Sequence, residues 1–321
     1  MLQDRYLNPF TDFGFKTLFD NEVNKELLVD FLNQLLPEKH HIQDLTYASN
    51  EQVGRSELDR RSIFDIFCMS QNGERFVVEM QKANGPTLRQ NFFVDRSVYY
   101  TTFPIGPSPR QQQALKGDWN YKLAAVYLIG ILDFVFSEDK AEKRVKHVIQ
   151  LKDEQCRVFY DKLTYIYLEM PHFTKTENEL VTQYDKWLYV LKQLPDLQDR
   201  PIQLQERIFQ RLFDAAEIAK FNQADYDSYL DSLKVYQDWK AVFETAQEEA
   251  EQKGMEKGMV KGMAEGWAIG VAEGTEQGIE RGSLEKARQV ARAGLAKGLD
   301  LDLIAELSGL TINEITALKN E

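Results

Sequence analysis

The chain has 321 residues, of which 43% are hydrophobic, 12% aromatic and 28% charged, and its formal net charge is −12. That much apolar material builds a sizeable core and excludes general disorder, and the acidic total excludes a protein that holds nucleic acid by bulk charge. No apolar run approaches the ~18 residues of a membrane span. The opening Met1-Leu2-Gln3-Asp4-Arg5 lacks the apolar stretch of a secretory signal, and two cysteines, Cys68 and Cys156, cannot make a disulfide framework or a zinc cage. The chain reads as cytoplasmic, and at roughly 100–200 residues per domain two structural units are expected.

In chain order, residues 1–45 read as helical. Thr11 or Asp12 can cap a helix through Phe19, and Leu27, Leu28, Phe31, Leu32 and Leu35 recur at helical spacing before Pro37 stops the run. Residues 46–175 mix strand and helix. Strands are expected over 63–69, 75–81, 123–136, 147–152 and 164–170, helices over 92–102 and 111–121, and loops at 85–86 and 103–109, where Pro104, Pro107 and Pro109 fall. Residues 177–252 read as helical, with apolar stripes such as Trp187, Leu188, Leu191 and Ile208, Phe209, Leu212, Phe213.

A repeat follows. Glycine stands at 254, 258, 262, 266, 270, 274, 278 and 282, and the next residue is mostly apolar: Met255, Met259, Met263, Trp267, Val271, Ile279. Eight glycines cost a lone helix about 1 kcal/mol each, roughly 8 in all, a loss that close approach of a partner helix can recover. Four residues advance ~400°, so the stripe drifts ~40° per repeat, which suits a wrapped self-pairing or a multi-helix contact. A flexible linker is the alternative. Lys257, Lys261, Glu265, Glu273 and Arg281 exclude a membrane helix. Residues 303–315 have a helix-turn-helix cadence with Gly309 at the turn. The second helix offers only Lys319 as a base, so an oligomerisation or capping unit is favoured over a DNA reader.

The chemistry concentrates between Phe64 and Gln81. Two strand-like runs flank Gln71-Asn72-Gly73, and a three-residue hairpin loop puts Gly73 in the left-handed position. With that loop the numbers of facing residues sum to 144, so Asp65 opposes Glu79. One face then carries Asp65, Phe67, Val77, Glu79 and Gln81, and the other, with Phe64, Ile66, Cys68, Phe76, Val78 and Met80, is core. Opposed carboxylates in an apolar sheet repel and resist burial. A hard divalent cation, held by one oxygen from each and a backbone carbonyl at Met80, would compensate them. Solvated edge charges or an arginine partner are the alternatives, and a two-residue turn would separate the pair. The four histidines, His40, His41, His147 and His172, show no ligand spacing, and Cys68 points into the apolar face.

The order strand-Asp, hairpin, strand-Glu-x-Gln resembles the PD-(D/E)XK nuclease motif, with Gln81 where most members have lysine. The stretches Asn8-Pro9-Phe10-Thr11-Asp12-Phe13-Gly14-Phe15-Lys16-Thr17-Leu18-Phe19, Arg60-Arg61-Ser62-Ile63-Phe64-Asp65, Val78-Glu79-Met80-Gln81, Arg96-Ser97-Val98-Tyr99-Tyr100 and Trp119-Asn120-Tyr121, with the glycine-repeat tail, resemble the Rpn / PD-(D/E)XK nuclease family transposase group over nearly the whole chain.

The resemblance implies an α/β, restriction-endonuclease-like core over 1–175, a helical extension over 176–252, the repeat as helix or linker over 253–283, and a small helical unit over 284–321. It implies a Mg²⁺- or Mn²⁺-dependent DNA endonuclease linked to recombination or mobile elements. Asp65 and Glu79 match its metal carboxylates. Gln81 stands where the lysine orients water or meets phosphate. Asp12 completes the metal site or merely caps its helix, and Lys16, one turn on, offers charge near phosphate. Arg60, Arg96 and Gln111 are candidates for DNA contact, with a structural ion pair as the alternative for Arg96. The expected partners are DNA and further copies of the chain through the C-terminal helices. The alternatives are a non-catalytic DNA-binding or assembly protein that retains the fold, and a transposase that joins strands.

Overall fold

The structure is a computed structural model, and it describes residues 4–48, 64–82, 90–106, 123–136 and 143–320, with the backbone alone for 90–92 and 320. It divides into two units, Met1–Gln247 and Glu248–Glu321.

The first unit is built on a six-stranded mixed sheet. Its strands are β1 (Leu45–Tyr47), β2 (Ile66–Ser70), β3 (Arg75–Gln81), β4 (Val126–Leu132), β5 (Lys146–Lys152) and β6 (Val158–Glu169), in the order β1-β2-β3-β4-β6-β5. The β2–β3 hairpin takes the expected register: Ile66 faces Val78, Phe67 faces Val77, Cys68 faces Phe76 and Met69 faces Arg75. Gly73 closes it at φ +82°, a conformation that side chains with a Cβ avoid. From β3 the chain crosses to β4 as a parallel neighbour, β6 continues parallel to β4, and β5 turns back antiparallel along the outer edge.

Helices cover both faces. On one lie α1 (Asp12–Phe19), α2 (Lys25–Leu35), α4 (Gln183–Gln193) and α5 (Arg207–Ala216); on the other lies α3 (Gln90–Ile105). In α2 all five of the spaced apolar residues, Leu27, Leu28, Phe31, Leu32 and Leu35, are buried. Trp187 of α4 sits among the rings of Phe19, Phe31 and Phe209, and its indole N–H donates to Asp30 at 2.6 Å. The same core therefore runs across residue 175, from the N-terminal helices and the sheet into α4 and α5. The first turns of a long helix, α6 (Gln223–Ala296), add Tyr229 to that core and Trp239 and Phe243 to the second.

Several expectations are corrected. Both sheet faces are buried, so the face with Phe67 and Val77 is a second core. Phe64 joins it, against the rings of Phe67, Tyr100 and Phe103, because alternation stops before β2 begins at Ile66. Residues 103–105 belong to α3 rather than to a loop, although Pro104 lies inside the helix. A proline this near a C-terminus forfeits one hydrogen bond, and the Arg75 guanidinium satisfies the carbonyls of Pro104 and Gly106. Strand β6 starts six residues before the expected 164, where alternation is masked by exposed residues such as Phe159, 82% exposed. The expected helix at 111–121 lies outside the described residues.

The second unit holds the rest of α6, then α7 (Leu301–Ser308) and α8 (Ile312–Asn320). The glycine repeat lies wholly within α6 as continuous helix, and among the described residues no atom beyond the helix's own backbone lies within 4 Å of a Cβ built at any of the eight positions. Ala291, Ile304, Leu310 and Ile315 form a separate small core, entered at Gly294, where a Cβ would meet Ile304 at 2.8 Å. Gly309 takes φ +73° at the turn between α7 and α8. No described helix is long and apolar enough to cross a membrane.

Candidate active site

The site begins with the N-terminal motif. Asn8 folds a turn: its side chain accepts from the Phe10 N–H, and its carbonyl accepts from the Thr11 hydroxyl at 2.8 Å. Thr11, fully buried, then caps α1 by accepting from the Gly14 N–H at 3.0 Å. Gly14 is required there, because a Cβ would lie 2.2 Å from the Asn8 carbonyl oxygen. Since Thr11 is the cap, Asp12 is released from that task. Its carboxylate pairs with Lys16 one turn on, at 3.0 Å.

The hairpin supplies the carboxylates. Asp65 donates its backbone N–H to Glu79 Oε1 at 3.1 Å, and Met80 donates its backbone N–H to Asp65 Oδ2 at 2.8 Å. Glu79 is thus tied to the backbone just before β2, and Asp65 to the backbone of β3. Glu79 is 5% exposed. Burial, and then the charge of Asp65, hold the Glu79 carboxyl well above the usual range. Burial also raises Asp65, opposed by the Met80 N–H and reinforced by Asp12, while Lys16 and Arg96 favour its charged form.

Gln81 ends β3 on the same face. Its carbonyl oxygen accepts from the Arg96 guanidinium, and its NH₂ donates to the Lys82 carbonyl at 3.0 Å. Arg96 comes from α3, with its guanidinium 5.1 Å from the ring centre of Phe93 and 5.7 Å from that of Tyr100. Its Nε is buried without a hydrogen-bond partner among the described residues. Asp65, Glu79, Met80, Gln81 and Arg96 are therefore linked in one cluster, with the Asp12–Lys16 pair acting on Asp65 through charge. Arg60, Arg61 and Gln111 lie outside the described residues.

Sequence reading missed two neighbours. Lys82, half-buried, places its ammonium 5.1 Å from the Tyr236 ring centre. Burial lowers its pKa, while the charges of Asp12, Asp65 and Asp133 oppose that. Asp133, just after β4, donates its backbone N–H to the Gln81 carbonyl at 3.0 Å, and burial pushes its carboxyl up to about 6. The signals were slight: a lysine directly after Glu-x-Gln, and an acid closing an all-apolar strand.

Among the described residues no group of three or more His, Cys, Asp or Glu side chains is placed to hold a metal ion. A buried and a half-buried acid with raised pKa values still suit a hard cation that keeps several waters and takes one or two carboxylates, as Mg²⁺ does. Such a cation offsets the burial that raises both groups and the charge of Asp65 on Glu79.

A mixed sheet carrying opposed carboxylates on its hairpin, flanked by helices, is a nuclease-like α/β architecture. Residues 9–246 match the family described as PD-(D/E)XK nuclease family transposase, and the chain belongs to that family. Neither a search of curated proteins nor one of solved structures found a match.

Proposed function

We propose that the chain is a divalent-metal-dependent DNA endonuclease that hydrolyses phosphodiester bonds, in keeping with a family of nucleases related to mobile elements. The observation that carries this reading is the pair of hydrogen bonds from the Asp65 N–H to the Glu79 carboxylate and from the Met80 N–H to the Asp65 carboxylate, which brings two raised acids together. Asp65, Glu79 and the Met80 carbonyl would hold Mg²⁺ or Mn²⁺. When bound, such an ion lowers the pKa of water and offsets charge at a phosphoryl group.

The chain's own residues do the rest. Gln81 cannot carry the positive charge of the lysine usual at its place, but it can orient water through its amide. Arg96, docked on Gln81, brings that charge from α3. Lys16 adds a second cation near Asp65, and Asp12 fixes its position.

Self-association through the C-terminal helices completes the reading. Met255, Met259, Met263 and Trp267 are 64–76% exposed along α6 beside the glycine positions, an apolar stripe that a second copy would cover.

The test is nicking of supercoiled plasmid with Mg²⁺ or Mn²⁺, comparing wild type, Asp65→Ala and wild type with chelator. Nicking by wild type alone supports the proposal. Equal behaviour of wild type and Asp65→Ala refutes it and favours a non-catalytic binder.

A further inference from the structure

The end of β3 sends side chains to both sides of the sheet. Gln81 reaches α3 and Arg96. Met80 packs against the first core, and Lys82, two residues on, follows it to that side. There the Lys82 ammonium lies 5.1 Å from the ring centre of Tyr236, a residue of α6 that packs against the same core. Helix α6 passes the end of the sheet at this point: Leu233 and Tyr236 meet the first core, and Trp239 and Phe243 the second.

The cations around the acids differ in what they already hold. Lys16 is held by Asp12 at 3.0 Å. Arg96 gives one arm to the Gln81 carbonyl oxygen. Lys192 donates to the carbonyls of Met170 and Phe173. The Lys82 ammonium has no hydrogen bond and no ion pair among the described residues. It is nevertheless half-buried, and the charges of Asp12, Asp65 and Asp133 all act on it. A half-buried ammonium gives up part of its hydration, and an aromatic face returns only some of that loss. Its three N–H donors are left for an acceptor from outside the chain.

We propose that Lys82 binds a phosphate oxygen of the DNA strand at the candidate active site, on the side of the sheet opposite Arg96. The inference rests on the endonuclease reading and deepens it. A phosphodiester brings a negative charge to a site that already holds Asp12, Asp65, Glu79 and Asp133, and the neutral Gln81 offsets none of it. Lysine is a compact point charge on a flexible stem, so Lys82 can turn from the Tyr236 ring to phosphate without a shift of β3. With Arg96 on one side of the strand end and Lys82 on the other, the DNA backbone crosses that end between two cations. In a chain of net charge −12, an uncommitted cation beside the acids counts for more than exposed ones beyond a screening length of ~10 Å.

The experiment uses the full chain, end-labelled duplex DNA and a fixed concentration of Ca²⁺ in place of Mg²⁺. Anisotropy gives the affinity across a NaCl series, and plasmid nicking with Mg²⁺ is measured in parallel. Each phosphate neutralised adds about 0.9 to the slope of log affinity against log salt. Lys82→Met and Lys82→Gln should each lower that slope by about 0.9 and weaken binding to all sequences alike, whereas Lys82→Arg should keep it. Lys240→Met is the comparison for charge alone, since Lys240 also acts on Asp133 but stands 3.9 Å from Glu244; it should leave the slope unchanged. Urea midpoints establish that each variant is folded. A wild-type slope in Lys82→Met and Lys82→Gln overturns the proposal, and intact nicking then leaves the endonuclease reading standing. An equal loss in Lys240→Met also overturns it, because the effect is then one of net charge. A slope that depends on Lys82 in a protein that does not nick keeps the contact and overturns the endonuclease reading. A wild type that binds no DNA removes both.

Discussion

Arg96 and Gln81 are partners: a guanidinium carried by α3 is docked on the amide that ends β3. In the proposed site the helix would thereby supply the positive charge that the strand lacks. Replacing Gln81 with lysine should consequently harm the site, because it sets a second cation against Arg96. We expect Gln81→Lys and Arg96→Gln each to lower nicking by about 10²–10³-fold, and the double variant Gln81→Lys/Arg96→Gln to recover at least tenfold over either. A double variant that is merely the product of the two losses would show the residues to be independent.

The opposed acids predict a conflict between activity and stability. Asp65→Asn keeps an acceptor for the Met80 N–H and removes the charge that raises Glu79. Nicking should vanish, while the metal-free protein melts higher, by about 2–4 °C for each kcal/mol gained in a unit of this size. A lowered melting temperature in chelator would show that the charge of Asp65 stabilises the fold.

The pH dependence follows with a definite sign. Asp65, Glu79 and Asp133 all have folded-state pKa values above their ordinary ones. Between the ordinary and the raised value the folded state binds more protons than the unfolded state, so stability falls as pH rises. For Asp133 this window runs from its ordinary 3.8 to about 6, a loss of about 3 kcal/mol at most. Urea titrations in chelator should give a lower midpoint at pH 7 than at pH 5, and Asp133→Asn should flatten that slope. A midpoint that climbs from pH 5 to pH 7 would contradict the assignment.

Gly14→Ala tests the N-terminal turn. The added Cβ lies 2.2 Å from the Asn8 carbonyl oxygen, so the turn has to open, at a cost of about 1–3 kcal/mol. The urea midpoint should drop accordingly, whereas wild-type stability would show that the turn adapts freely.

The tail gives an opposite pair of effects. Ala at Gly262 and Gly266 should raise the helix content of an isolated chain, by about 1 kcal/mol per site, because among the described residues no side chain or other segment comes within 4 Å of a Cβ at either position. If copies pair closely along the glycines, as proposed, the same changes should weaken self-association in sedimentation. Unchanged association would place the contact elsewhere.

The β2–β3 register was legible because Gly73 fixes the loop, and the loop fixes the facing pairs from Met69 and Arg75 down to Ile66 and Val78. Helix α2 was legible because its apolar spacing and Pro37 are local signals. The sheet order was not, since no periodicity in β4 tells it to lie between β3 and β6. Phe64 misled for a related reason: alternation holds only inside a strand, and β2 starts two residues later. The pairing of Arg96 with Gln81 and the gathering of His147 and His172 on Glu169 are long-range contacts. Spacing along the chain carries no trace of them, so histidines without ligand spacing still converge.

The two cysteines sit at opposite extremes of exposure. Cys156 lies exposed in the turn between β5 and β6, at φ +61°, and Cys68 is wholly buried in the middle of β2. Burial also raises the pKa of the Cys68 thiol, so the reactive thiolate forms there only when the strands part. A thiol reagent applied to the native protein therefore marks Cys156 at once and Cys68 only as the hairpin opens. The chain carries an internal clock for the breathing of the strands that hold Asp65 and Glu79, and its rate can be read with and without metal or DNA and no engineered label.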